Sequence, residues 1–488
     1  MGASAARSLC RTLALAALAA LALAAPAHAG AAFALVGDAT ASEPDVAVDS
    51  DGNGHFAWVG NGVAKYCRVP RGGSACEVTQ TLALPTNDGM VARKAFVQIP
   101  SAGRVVVLVY GCCTNTGPNR TGDYVFDSTT NGDGFLPASA RRGTIDPGDV
   151  VLGPGATLSA ATLGPSDTPT YQDIPLAAPA ATLAEFTTPA VADLSVPVAV
   201  SGGRPAIAYG YSDQIFFRRY TGAPGGENSA SGWGAEQQVG AGRNPKLAGN
   251  DNGLILGFQG AADGPLEAAK LSGSGFDPPL NVSGTTSSVT DPDLFAVPGS
   301  GPDSFFVAAW REAGAEPDEL RAATSLDGGD WSTPVPIVSD DSLSSWGDRL
   351  RVAAGPDGQG FVTYLSAAGP YAASLDQVDT GSGIAPSKVL ASFKGAVLQG
   401  PKACVKPGTK VKLAAKGNVK GFALKKVAFS LDAVKKTDKS SPFAKLFSTS
   451  GFTLGTKHKA RAVLTFKRKK KPHKKVKRSL NATVKICP

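Results

Sequence analysis

Histidine and methionine are nearly absent: the 488-residue chain holds four His and two Met. One His falls in the N-terminal leader described below, so little is left for His-rich metal sites or for triads that need an imidazole base. Neither G-x-S-x-G, H-E-x-x-H nor Walker A occurs, and no two cysteines stand in C-x-x-C spacing. The common zinc, redox and phosphate-loop signatures are therefore missing. Beyond the leader the longest strongly apolar run is 105–110, long enough for a strand and far too short to span a bilayer. Charge is sparse too, at 18% against 43% apolar residues, a balance that excludes wholesale disorder. Abundant instead are Gly (58) and Pro (35), without the triplet period of collagen. They predict an all-β chain of many short elements joined by turns.

Residues 1–29 read as a signal peptide. Arg7 and Arg11 form the positive region, an apolar core follows, and Ala27-His28-Ala29 is a small-x-small cleavage site. No Cys follows that site, so a released, secreted protein is expected. Cys10 leaves with the leader, and six cysteines remain. Cys67 and Cys76 flank a turn-rich stretch, as across a hairpin, while Cys404 and Cys487 bracket the last segment. The adjacent Cys112 and Cys113 either join in a strained vicinal ring, which is easily reduced, or bridge to other partners such as Cys67 and Cys76. A vicinal disulfide in the loop 111–122 would be a rigid apolar plate for binding, or a loop clamp.

Net charge is +8, but the sum conceals a dipole. Residues 401–488 carry 25 Lys/Arg against Asp432 and Asp438, so 25 − 2 = +23, while residues 30–400 carry 21 basic and 38 acidic residues, so 21 − 38 = −17. The split predicts separate domains: 30–395, a short linker at 396–400, and a basic module at 401–488 with an anionic partner.

Within 30–395 a hairpin recurs: an apolar strand, a Gly/Asp/Asn turn, and a second apolar strand. Copies begin near 44, 95, 150, 197, 245, 292 and 349, about 50 residues apart, close to the blade repeat of propellers. One blade cannot bury both faces, so the copies must stack around an axis. The expectation is a β-propeller of six or seven blades, with a Greek-key sandwich as the alternative. Asp49-Ser50-Asp51-Gly52-Asn53-Gly54 begins like a calcium loop, yet its twelfth position is Gly60 rather than a bidentate Glu. A turn is the better reading, and His55 after it reads as a strand filler. No metal or cofactor is expected.

Ser128-Thr129-Thr130-Asn131-Gly132-Asp133-Gly134-Phe135 resembles the Asp-box, S-x-D-x-G-x-T-W, of sialidase-like propellers. Ser325-Leu326-Asp327-Gly328-Gly329-Asp330-Trp331 keeps its Ser, Asp, Gly and Trp but is one residue short. In that family the box is a structural turn between outer strands. Its members use an arginine cluster, a Tyr–Glu nucleophile pair and an acidic proton donor. The family's F/Y-R-I-P motif is missing, since Phe96-Val97-Gln98-Ile99-Pro100 lacks the Arg. Arg311 and Glu312 are the catalytic candidates, with Arg218, Arg349, Arg351, Tyr211 and Tyr364 as possible neighbours. The resemblance implies a propeller, and an exo-glycosidase only if a divergent site exists.

Residues 401–488 alternate cleanly. Val411, Leu413 and Ala415 alternate with polar or small residues, as do Val427, Phe429 and Leu431, then Ala460, Ala462, Leu464 and Phe466, then Leu480, Ala482, Val484 and Ile486. Period-two patterning predicts half-buried antiparallel strands in a small immunoglobulin-like β-sandwich, stapled by Cys404 and Cys487. Between the last two strands, Lys467, Arg468, Lys469, Lys470, Lys471, Lys474, Lys475, Lys477 and Arg478 fill nine of twelve positions. This cluster is either a solvated hairpin tip or an attachment point for anionic cell-wall polymer or a membrane surface. It carries no aromatic for base stacking, so no specific nucleic acid is expected. The reading is a secreted, monomeric, non-enzymatic binding protein. Its propeller would recognise a glycan or protein, and its basic domain would hold it at an anionic cell surface. The alternative is a divergent sialidase-like glycoside hydrolase.

Overall fold

Strands packed on both faces need no polar alternation, and the repeated hairpins fold in that way. The computed structural model describes residues 32–35, 42–85, 89–112, 121–142, 147–163, 168–176, 184–186, 196–260, 264–284, 289–298, 304–312, 319–339, 350–355, 359–366, 369–375, 388–401, 405, 410–439, 443–449, 452–453, 456–468 and 475–486. Among them the only helical element is one 3-10 turn, Ala230–Gly232.

Seven antiparallel sheets stand in sequence order. Blade 1 runs through Ser42–Val48, Gly54–Gly60, Val63–Val69 and Val78–Leu82. Blades 2, 3 and 4 begin with Val91–Ser101, Asp149–Leu152 and Val198–Ser201, and blades 5, 6 and 7 with Arg243–Asn250, Val289–Ala296 and Arg351–Ala354. These first strands neighbour one another in order, and the seventh returns to the first. The ring is therefore a seven-bladed propeller. Its last blade takes its outermost strand from the other end of the chain, where Phe33–Ala34 pairs with Tyr371 and Ala372. That closure ties the first described strand to the last blade.

The burial pattern explains the sequence pattern. Every residue of Gly54–Gly60 is buried, as are the seven residues from Val105 to Gly111. Apolar clusters fill each gap between blades: Tyr66, Val97 and Val107 between blades 1 and 2, for instance, or Val307, Leu320 and Val362 between blades 6 and 7.

The two turns read as box-like lie in such gaps. Ser128 Oγ accepts the Gly132 N–H at 3.0 Å, and the Phe135 ring meets Tyr66 of blade 1 edge-on at 4.9 Å. Gly132 has φ +82°, and a Cβ there would lie 1.8 Å from the Tyr66 hydroxyl. In the second turn Ser325 Oγ accepts the Gly328 N–H at 2.8 Å, and Ser325 bridges to Trp331. Asp327 accepts the Gly329 N–H and pairs with Lys270 of blade 5 at 3.2 Å. Both turns thus fasten a blade to the one before it. Arg68 of blade 1 adds an ion pair to Asp133 at 2.9 Å.

The second unit is a β-sandwich. One sheet orders Lys388–Phe393, Ala396–Gly400, Lys410–Gly417 and Ala444–Ser448, and the other Val434–Asp438, Phe422–Leu431, Lys457–Arg468 and Lys475–Lys485. The alternating residues named above form its core: Val411, Leu413, Val427, Phe429, Leu464, Phe466 and Val484 are all buried. The boundary expected at 401 is too late. Residues 396–400 are not a linker but a full strand of the first sheet, and the sandwich already includes 388–393. These strands carry few charges, so the charge boundary and the fold boundary do not coincide.

Cys67 and Cys76 form a disulfide, which leaves neither as a partner for Cys112. Cys112 is itself disulfide-bonded, and Cys113, Cys404 and Cys487 lie outside the described residues, as do residues 1–29, where a leader is expected. Val405 nevertheless runs beside Ile486 in a parallel bridge.

The hairpin closed by Cys67 and Cys76 also meets the sandwich. Arg71 Nη1 pairs with Asp438 Oδ1 at 3.4 Å, with both side chains only 1–2% exposed. Asp438 Oδ2 accepts the Ala444 N–H at 2.9 Å, and the Arg71 N–H donates to Asn53 Oδ1. Removing one member of a buried pair strands the other and costs ~3–5 kcal/mol. Asp438→Ala should therefore lower stability by about that much and let the two units separate, seen as a larger radius of gyration in solution scattering. Gly132→Ala should cost about 2–4 kcal/mol in chemical denaturation, from left-handed backbone and overpacking together. Gly134→Ala is the control, because a Cβ there meets nothing within 4 Å.

Candidate ligand-binding site

The propeller axis holds a cavity of about 390 Å³, lined by the first strands of all seven blades. Each of those strands is a sheet edge with unpaired backbone groups, which must find partners when buried. Side chains of neighbouring blades supply them. Asp45 Oδ2 accepts the Val97 N–H at 2.8 Å, Asp149 Oδ2 that of Val198 at 3.1 Å, and Asp293 Oδ2 that of Val352 at 2.8 Å. Gln98 donates to the Val150 carbonyl at 3.1 Å, Ser201 to that of Asn250 at 2.9 Å, and Asn250 to that of Val297 at 3.3 Å. Thr363 donates to the Pro44 carbonyl at 3.1 Å and completes the circle.

These bonds fix Asp45, Asp149 and Asp293 in the channel wall, which Lys246 and Arg351 also line. Asp45, Lys246 and Asp293 each follow a register shift in their strand. Arg351 links two of the carboxylates: Nη1 lies 3.5 Å from Asp293, and Nη2 lies 3.3 Å from the Gly148 carbonyl and 3.9 Å from Asp149. Burial pushes the Asp45 carboxyl up to about 7, against the pull of Arg351 and the Val97 N–H. It raises Asp293 likewise, against Arg351 and Lys246. Buried Lys246 lines this cavity and acts by charge on Asp293. The lining therefore offers both signs of charge beside apolar walls, a setting suited to a polar ligand with few ionic groups.

Sequence reasoning placed Arg351 near a site but missed Asp45, Asp149, Lys246 and Asp293. The available signal was the charged residue opening an apolar repeat, as in Pro44-Asp45, Pro245-Lys246 and Pro292-Asp293.

Arg311 and Glu312 end the second strand of blade 6, pairing with Thr290 and Val289, and do not line the channel. Glu312 pairs with Arg321 at 2.5 Å on the adjacent strand, which neutralises it. Arg218 packs over Phe186 and donates to the Tyr209 hydroxyl at 3.3 Å, which in turn donates to Glu236. Burial raises the Tyr209 phenol well above its ordinary value, the wrong direction for a nucleophile. Tyr364 stacks on Tyr371, Tyr211 ends a blade 4 strand, and Arg349 lies outside the described residues.

The calcium-like loop is a turn. Asp49 accepts the Asp51 and Asn53 N–H groups at 2.9 Å and the Asn53 side chain at 2.8 Å. His55 is fully buried between Asp49 at 3.2 Å and the Tyr66 hydroxyl at 2.7 Å. Burial pushes the Asp49 carboxyl up, but hydrogen bonds from His55 and Asn53 outweigh it and hold it at about 2.

In the sandwich, Lys467, Arg468, Lys475, Lys477 and Arg478 lie on the paired strands Lys457–Arg468 and Lys475–Lys485. Lys469, Lys470, Lys471 and Lys474 lie outside the described residues.

No family model and no curated protein matches the chain. Among solved structures, AofleA from Arthrobotrys oligospora is 10% identical, with 63% of this chain and 94% of that chain covered at a TM-score of 0.40. The fungal lectin from Aleuria aurantia, described as a six-bladed β-propeller with a fucose recognition mode, is 12% identical, covering 71% and 98% at 0.39. An α-L-arabinanase of Penicillium chrysogenum, complexed with arabinobiose, is 13% identical, covering 71% and 96% at 0.38. At such identities and scores no ligand or activity is carried to this chain.

The channel carboxylates give a pH signature. A carboxyl raised in the folded state stabilises below its unfolded value of 3.8, and that contribution disappears as pH rises through about 7. Asp49 is the opposite case: its contribution is present above 3.8 and is lost as pH falls through about 2. Urea unfolding should show stability falling between pH 4 and 7, and Asp45→Asn should flatten that fall by on the order of 2–4 kcal/mol. Asp49→Asn should flatten the loss below pH 4 and leave the higher range unchanged.

Proposed function

We propose that the protein is a secreted, two-domain binding protein, in which the propeller recognises a glycan or protein ligand at its channel. The basic sandwich, immunoglobulin-like in its strand pattern, holds it at an anionic cell surface. One observation carries this reading: a strongly cationic, exposed sandwich is docked through the buried Arg71–Asp438 pair onto a ring whose charged residues line an open cavity. The leader and the cysteines agree with an oxidising, extracellular setting.

A glycoside hydrolase is the second reading, and the Tyr209–Glu236–Arg218 contact is what favours it. Against it stand the raised Tyr209 phenol and the position of all three side chains away from the channel lining.

The test incubates the full chain with a glycan and cell-wall-polymer panel, scoring retention and released sugar together. Retention without release is expected, with elution by high salt as counterions compete. Sugar release abolished by Glu236→Gln would replace this reading with the hydrolase.

A further inference from the structure

We propose that the outward face of the sheet Val434–Asp438, Phe422–Leu431, Lys457–Arg468 and Lys475–Lys485 is a docking surface for a linear anionic polysaccharide. This rests on the attachment reading above and goes further, in naming the surface and the polymer. The sequence points to the hairpin tip; the strand register shows something broader. Residues on this face follow from the pairing: Arg461 lies opposite Asn481 and Ser430, Thr465 opposite Lys477 and Lys426, and Ser430 opposite Lys435. Their inward neighbours Ala460, Ala462, Leu464, Phe466, Leu480 and Val484 are buried.

The face carries two cationic zones. Lys457, Lys459, Arg461, Lys485 and Lys435 form one, and all are exposed. Lys426, Lys467, Lys475 and Lys477 form the other. Between them runs an uncharged row of Thr437, Ala428, Val463 and Ser479. From Lys457 to Lys467 is ten residues, roughly 33 Å of strand, and the strands lie about 4.8 Å apart.

Carboxylates offset little of this field, since among the described residues only Asp432, at a hairpin end, acts by charge on one of these cations, Lys459. The segment from 401 has two acids. Asp438 is buried on Arg71, and Asp432 is occupied by His458 at 2.6 Å and the Lys459 N–H at 2.7 Å. Like charges even stand directly opposite, Lys457 to Lys485 and Lys467 to Lys475, an arrangement that destabilises a sheet. A bound polyanion would offset that repulsion.

The chemistry between the cations favours a polysaccharide. Ser430, Thr465, Ser479, Asn481 and Thr483 interleave with them and present groups suited to sugar hydroxyls. Among the described residues the outward positions hold no aromatic on which bases stack and no exposed large apolar side chain to enter a bilayer. Of the exposed large apolar side chains in the sandwich, Val389 and Phe393 belong to the other sheet, while Val434 lies on this one at a hairpin end, opposite buried Leu431 on the inward side of the register.

The test titrates the full chain with sodium polygalacturonate, duplex DNA and phosphatidylglycerol vesicles. It compares wild type with a face variant, K457Q/K459Q/K485Q, and a tip variant, K469Q/K470Q/K471Q. The face variant should weaken polygalacturonate binding at least tenfold and reduce its log–log salt slope by about 2–3, at ~0.7–0.9 per released counterion. The tip variant should lose less. Affinity lost in the tip variant alone would overturn this proposal and leave the attachment reading standing. So would tighter binding to DNA or vesicles than to polygalacturonate. Failure to bind any of the three would overturn both.

Discussion

Around the propeller axis, each first strand turns a bare backbone edge toward the channel, and a neighbouring blade hydrogen-bonds to it at every one of the seven junctions. Apolar packing alone would let blades slide, because dispersion is non-directional. The side-chain bonds set the height at which each blade meets the next. Three of the seven use an Asp carboxyl oxygen as the acceptor of a buried N–H group, which would otherwise lack a partner. The charged lining of the channel is therefore first a structural device, and any ligand bound there meets groups already held in place.

Charge in this protein is handled in two opposite ways. In the propeller, acids and bases meet: Arg351 between Asp149 and Asp293, Arg104 on Asp127 at 2.6 Å, Arg321 between Glu312 and Glu319. In the sandwich, both acids are withdrawn from the exposed cationic face, one into the domain contact and one into a turn. The Arg71–Asp438 pair thus anchors the sandwich to blade 1 while sparing its outer face from neutralisation. Loss of that single contact would affect domain docking and surface field together.

Much of the architecture was legible because its causes are local. The seven hairpin starts near 44, 95, 150, 197, 245, 292 and 349 are the first strands of seven blades, since each turn is written in Gly, Asp and Asn. The sandwich showed a period of two because one face of each strand meets water, and the propeller showed continuous apolar runs because both faces meet other blades. The end of the propeller was placed late, because residues 388–400 are too weakly charged to reveal which unit they join.

The charged lining was harder to find. Asp45, Lys246 and Asp293 are isolated charges in sequence, about 200 and 50 residues apart by the repeat spacing, and only ring closure brings them to one cavity. Arg311 and Glu312 adjoin in sequence yet point to no shared site, since adjacent strand residues face opposite sides of a sheet.

The sequence by itself determined the strand–turn rhythm and the partition of charge, both set by neighbours along the chain. Only the tertiary structure decided the blade count, the closure by Phe33–Ala34, the charged lining of the channel and the full extent of the cationic face. Those depend on strand register and on contacts between distant residues, and a one-residue change in register would turn the same side chains to the opposite face.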